Sequence, residues 1–322
     1  MSKTGGEKKL DCVVCGASVV DIIVRPVPLT EPLGGRFLET DPIDMVTGGV
    51  VPNAGIAMAR LGLAVGAFTS VGDDEWGLFL RKRCAEEGID TSGFLTDPEA
   101  GTSATAVLVD PNGEHTFAHY GGAWKRMRRE LFLEHLPMFS RSRMMLVGYY
   151  SLLPALEDDL AEVFEKVRAT GCLTALDSAA EGGALEPLAA MLPHLDVYVP
   201  SLTEAKSQTG ETDPQRIVDV YRECGCKGLL GVKLGAEGAL LSPVAGRYVD
   251  IAAVQAPGEV VDTTGAGDSF YAGLLTGLLR GMSPEDAGRL GAAAGACCVT
   301  GLGASNGLRD FAATAELAGL SC

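Results

Sequence analysis

The chain has 322 residues, 47% of them hydrophobic and 6% aromatic, with 42 glycines and a formal net charge of −16. That acidic balance argues against nucleic acid or an anionic membrane as partner. The Gly/Ala/Val/Leu-rich, aromatic-poor composition suits close helix–sheet packing in an α/β protein, built as one large domain or two smaller ones. Nine cysteines include a CxxC at Cys12 and Cys15, a CxC at Cys224 and Cys226, and the adjacent pair Cys297 and Cys298. Cys12 and Cys15 sit in a run that reads as a buried strand, and none of the four histidines has zinc-like spacing to a cysteine. The thiols are expected to be reduced and to serve as small hydrophobes. The first residues lack an apolar signal-like core, and no apolar span long enough for a membrane helix occurs. The expectation is a soluble, cytoplasmic protein.

In chain order, Val13–Val24 reads as a strand, Asn53–Leu61 as a helix, Ala64–Val71 as a strand and Gly77–Glu87 as a helix. Residues 102–120 form a β-hairpin with its turn at Asp110-Pro111-Asn112-Gly113. Residues 25–47 carry Pro26, Pro28, Pro32 and Pro42 and suit an extended excursion that joins the hairpin in a small second sheet. Met144–Gly148 is a strand, Leu156–Thr170 a helix and Leu173–Asp177 a strand. Further strands are expected at Asp196–Pro200, Gly228–Leu234 and Ala239–Ser242, and long helices at Phe270–Arg280 and Pro284–Val299. This alternation predicts a mainly parallel sheet with helices on both faces.

Several polar residues interrupt the apolar pattern where chemistry would need them. Asp21 lies in Val19–Val24, where a carboxylate is costly unless partnered. It reads either as a strand-end residue facing water or as the acceptor for two adjacent sugar hydroxyls. Gly48 and Gly49 precede a helix and allow close backbone approach to a ligand, while Asn53 offers both a donor and an acceptor. Ser201 and Glu204 have the spacing of a capping box after the 196–200 strand. Lys233 leads into the turn Gly235-Ala236-Glu237-Gly238, as a phosphate-reaching or a surface lysine. The basic run Lys125–Arg129 reads as a solvated helix face or as a grip on phosphate. At 262–270 the string Asp-Thr-Thr-Gly-Ala-Gly-Asp-Ser-Phe opens a helix. Its orphan N–H groups and helix dipole make an anion site, and Asp268 stands beside it as a helix cap or as a base. No GxxxxGK[ST] occurs, which excludes a P-loop kinase, and no GxGxxG follows the first strand.

DTTGAGDSF, preceded in order by Asp21, GGVVPN, the Ser201–Glu204 segment and the LGAEG turn, resembles the signatures of the PfkB/ribokinase family of small-molecule kinases. The resemblance runs from Asp21 to Gly303. It implies a ribokinase-like three-layer α/β/α fold, with a mainly parallel central sheet and a small β-sheet lid. Residues 1–322 would form one kinase domain, with lid segments at about 22–47 and 102–122. By the same resemblance Asp268 is the catalytic base, and Gly265, Ala266 and Gly267 form the anion hole. Asp21, Gly48, Gly49 and Asn53 would bind substrate. Lys233, Gly235 and Gly238 would contact the nucleotide together with Glu204, which also organises Mg²⁺ through water. Asp262, Thr264, Cys298 and Gly303 would hold a monovalent cation such as K⁺.

The implied activity is transfer of the γ-phosphoryl group of ATP to a hydroxyl of a sugar or sugar acid. The implied assembly is a homodimer sharing its lid. A nucleoside kinase on the same scaffold and a sugar-binding pseudokinase are the alternatives. Four departures from the family pattern bear on the substrates and the metal. Val50 stands where ribokinases often carry Lys, which weakens ribose as the acceptor, and Ser201 stands where the family has Asn. Asp177-Ser-Ala-Ala-Glu181 lacks the Asn and Arg of fructokinase-like members, and residues 291–293 are Gly or Ala where relatives often place a polar adenine contact.

Overall fold

The computed structural model describes residues 9–31 and 34–320, so Pro32 of the proline-rich excursion lies outside the described residues. Thirteen strands are found among them: β1 Leu10–Gly16, β2 Val19–Val24, β3 Asp44–Gly48, β4 Val65–Gly72, β5 Asp90–Asp97, β6 Ala104–Val109 and β7 His115–Tyr120, then β8 Ser142–Gly148, β9 Leu173–Leu176, β10 Val197–Tyr198, β11 Leu229–Lys233, β12 Ala239–Val244 and β13 Arg247–Ile251. Nine of these make one sheet in the order β13-β12-β11-β10-β9-β8-β1-β4-β5. It is parallel from β5 through β11, and β12 and β13 close it as an antiparallel edge. Helices cover both faces, as the alternation predicts.

The central strands β1 and β4 are buried along almost their whole length. Strands covered on both faces read as continuous apolar runs, and Cys12, Val13, Val14 and Cys15 are all fully buried in one. The cysteine expectation holds here: the described cysteines are free, and all but the half-buried Cys224 are buried.

Val13–Val24 is not one strand. The chain leaves the large sheet at Gly16, whose φ is 124°, and re-enters as β2 of a second sheet. Both halves are apolar, so composition alone hides the change of partner. The second sheet has the order β3-β2-β6-β7, with β2 and β6 parallel and the outer pairs antiparallel. The 102–120 hairpin is its β6–β7 unit, turned at Asp110–Gly113. Edge strands β5 and β13 went unforeseen because their burial is broken and polar residues dominate their ends.

Of the helices that begin earlier than the apolar pattern suggests, two carry candidate site residues. The first spans Val50–Arg60, which places Asn53 inside it and nearly fully buried. The other spans Ala266–Leu279, so Asp268 lies in its first turn. Gly265 sets that start in the left-handed region at φ 76°, and a Cβ there would stand 2.3 Å from Ala304 Cβ. The position therefore demands glycine twice over, by backbone angle and by space. The basic run is a short 3₁₀ turn leading into a helix. Arg126 pairs with Asp97 and Glu99, and Arg129 with Glu130, Asp159 and Glu162.

Candidate active site at the strand ends

In an open parallel sheet the loops at the carboxyl ends of the strands form the ligand crevice. Four neighbouring strands deliver polar residues there. Tyr149 follows β8, Asp177 follows β9, Ser201 and Glu204 follow β10, and Lys233 ends β11. A bridge between Ser201 and Lys233 keeps the last two in register. The helix Ala266–Leu279 points its N-terminus at the same place.

Asp268 is buried, and two side chains donate to its Oδ2: Asn53 Nδ2 at 2.9 Å and Tyr149 Oη at 2.8 Å. Burial holds its carboxyl above the ordinary carboxylate value, while the Asn53 and Tyr149 hydrogen bonds and the Lys233 charge pull the other way. Lys233 is no surface lysine. Its Nζ sits 2.9 Å from Asp177 Oδ1 with only 12% of the side chain exposed. Burial pushes Asp177 up to about 7, against the pull of Lys233. Burial works to lower Lys233, but Asp177, Glu204 and Asp268 outweigh it and hold the ammonium above its ordinary value.

Ser201 and Glu204 form the expected capping box, with Ser201 N donating to Glu204 Oε2 at 2.7 Å and Glu204 N to Ser201 Oγ at 3.3 Å. At the helix start, Ala266 N donates to Thr263 O at 3.2 Å. The N–H groups of Gly267 and Asp268, one residue further in, have no carbonyl a turn behind them.

Asp21 lies on β2 directly across from Thr105 on β6, which lies across from His119 on β7. Thr105 bonds the Asp21 carboxylate, and its Oγ1 lies 3.0 Å from His119 Nδ1. Burial holds Asp21 above its ordinary value, with the Thr105 hydrogen bond opposing. Gly48 is glycine because a Cβ there would stand 2.1 Å from Asp21 Oδ2, and Gly49 caps the helix that carries Asn53. Asp262 ties the loop before the anion site to a later one, accepting from Thr264 N at 2.9 Å and Gly303 N at 2.8 Å. The Cys298 thiol donates to the carbonyls of Thr264 and Ala304 at the same junction.

Beside Gly267 opens a cavity of about 710 Å³. Lys233, Gly235, Ala236 and Gly238 form one wall, residues 253–256 and Val260 a second, and Phe270, Ala292, Gly295, Ala296 and Val299 a third. Its lining is apolar apart from Lys233, Gln255 and Thr263, and its charged end is the helix start. Thus Lys233, Gly235, Gly238, Ala266 and Gly267, separated in the sequence, meet around one space, which Glu204 does not line.

The pfkB family carbohydrate kinase model matches residues 10–310. The chain belongs to the pfkB family of carbohydrate kinases. As a pfkB kinase it is a phosphotransferase with an alcohol group as acceptor. It is 27% identical to the ribokinase of Haemophilus influenzae over 309 residues, covering 94% of this chain and 96% of that one. It is 26% identical to the 2-dehydro-3-deoxygluconokinase of Bacillus subtilis, covering 93% of each. The structure of Arabidopsis thaliana ribokinase complexed with ribose and ATP matches 97% of this chain and 99% of its own, with a TM-score of 0.83 at 23% identity. The ribokinase-like three-layer α/β/α fold with its small second sheet is therefore the fold of this protein.

Sequence reasoning passed over Tyr149, Thr105 and His119, and noted Asp177 without its lysine. The position of Tyr149 just beyond a parallel strand was the signal available. Thr105 and His119 become visible only once the register of the small sheet is known.

Proposed function

We propose that this pfkB kinase transfers the γ-phosphoryl group of ATP to a hydroxyl of a sugar or sugar acid, with Asp268 as general base. One observation carries the reading: a buried, hydrogen-bonded carboxylate stands in the first turn of a helix whose free N–H groups face the mouth of the large cavity. A base beside an anion site is what in-line phosphoryl transfer to an alcohol requires.

In this reading the apolar cavity takes the nucleobase, Gly235 and Gly238 let the backbone approach it, and Lys233 meets the phosphates. The Gly265-Ala266-Gly267 turn forms the anion hole, supported by the orphan N–H groups at Gly267 and Asp268. Asp21 accepts two acceptor hydroxyls, with Gly48, Gly49 and Asn53 beside it. Three carboxylates (Asp177, Glu204, Asp268) surround one ammonium, and this negative excess suits a divalent cation arriving with the nucleotide. Mg²⁺ would sit on the phosphates and reach Glu204 through water, neutralising charge on the transferred group. A monovalent cation such as K⁺ is proposed where the Thr264 and Ala304 carbonyls converge beside Asp262, Cys298 and Gly303.

Residues 1–322 act as one kinase domain, and segments 22–47 and 102–122 serve as a lid that excludes water. The exposed Met45, Phe117 and Tyr120 suit a homodimer in which two lids cover each other. None of the described helices is long and apolar enough to cross a membrane, and the free thiols suit the reducing cytoplasm.

The test is a coupled-ADP screen across sugars, sugar acids and nucleosides, with and without K⁺. ADP release with a sugar or sugar acid is expected. Turnover with nucleosides alone would replace this reading by a nucleoside kinase.

A further inference from the structure

Tyr149 has no part in the family signatures above, yet it donates directly to the proposed base at 2.8 Å. Its backbone lies in the left-handed region at φ 59° and ψ 38°. Bulky side chains adopt that region rarely and at a cost in strain, and such strain gathers at functional sites. Among the described non-glycine residues only Ala180 shares it. Gly148 ends β8 against the helix Val50–Arg60, where a Cβ would stand 2.3 Å from Val50, and the chain turns at the next residue, Tyr149. That turn swings the phenol to Asp268, and the same helix brings Asn53.

Both donors choose one oxygen, Oδ2. Among the described residues no hydrogen bond reaches Oδ1. Two donors on one oxygen fix the rotation of the carboxylate and leave the other oxygen's lone pairs open. We infer that Tyr149 is a positioning residue that, with Asn53, locks the carboxylate of Asp268 and reserves Oδ1 for the proton of the acceptor. In the transfer, the acceptor O–H bond breaks and its proton goes to Oδ1. The oxygen's electron pair forms the new bond to the γ-phosphorus, and the bridging oxygen leaves with its pair on ADP. The inference rests on Asp268 being the base.

The groups facing Asp268 are Lys233, Asp177, Glu204, the Tyr149 phenol and the Cys298 thiol. Tyr149→Phe removes one donor and leaves the rest in place. Loss of a donor to the ionised form raises a carboxyl's pKa. The acid limb of the kcat/KM profile should therefore move to higher pH by about half a unit to one unit, and kcat at neutral pH should fall about tenfold, with KM for both substrates within about twofold. Tyr149→Gly relaxes the left-handed backbone and also lacks the hydroxyl, so it should show the same shift even where the Phe variant folds poorly. A limb that stays in place in both variants, or a loss confined to acceptor KM, overturns the inference. Asp268→Asn run alongside separates the two readings. If it keeps turnover, the base assignment itself is wrong; if it is inactive and the Tyr149 variants keep the wild-type limb, only the role of Tyr149 falls.

Discussion

The amide of Asn53 donates to the carboxylate of Asp268 across 2.9 Å, joining residues 215 positions apart. One belongs to the helix behind the paired glycines and Asp21, the other to the helix that presents the anion site. On the proposed reading, the bond fastens the half that would hold the acceptor to the half that would hold the phosphate. Asn53 thus has a partner within the protein besides any substrate it meets.

Asp21 separates the two halves experimentally. It sits in the small sheet beside Thr105, away from the cavity beside Gly267. Hydrogen bonds to a charged group contribute about 1.5–3 kcal/mol each, so Asp21→Ala should raise acceptor KM about 100-fold. KM for ATP should change little. Steady-state kinetics with each substrate varied in turn checks this, and a rise shared equally by both would place Asp21 elsewhere in the reaction.

Activity and stability should respond to pH with opposite signs. As the proposed base, Asp268 would have to be ionised, and it is held above its ordinary value, so turnover should be lost as pH falls through a point above the usual carboxylate range. Asp177 is raised to about 7 by burial, although Lys233 opposes this. A carboxyl raised in the fold stabilises it fully below the unfolded-state value and loses that contribution as pH rises through the folded value. Carboxylates with lowered values, such as Asp74 and Glu87, titrate below this window. Against the opposing effect of His119, whose value burial lowers, Asp177 should make the ligand-free protein melt higher at about pH 6, relative to about pH 8, than Asp177→Asn does. Differential scanning calorimetry at the two pH values reads it.

Gly265→Ala tests the helix start. A side chain there meets both a left-handed backbone and Ala304 Cβ at 2.3 Å. The backbone term alone costs about 1–3 kcal/mol. A lowered Tm is expected, together with weaker nucleotide binding if the first turn carries the proposed anion hole. Wild-type values for both would show that the turn tolerates a side chain.

The chain's pattern carried much of this. Buried parallel strands announce themselves as apolar runs, and the glycine turn before Asp268 marked the helix start chemically. The two sheets were harder to part, because β1 and β2 are equally apolar and only the partners across the sheet distinguish them. Gly48 was read as room for a ligand, yet the atom it makes room for is Asp21 Oδ2. Lys233 stayed ambiguous because burial comes from packing that no local window contains. Tyr149 escapes notice for a like reason, since its partner Asp268 lies 119 positions away in sequence.

The most direct test of the account is Asp268→Asn, assayed with the best acceptor from the ADP screen and paired with calorimetric titration of ATP. General-base catalysis is worth about 10²–10⁴ in rate. With Asp268 as the base, kcat should fall by about a thousandfold while ATP binds within about threefold of wild type. Turnover within tenfold of wild type, with ATP still bound, would contradict it.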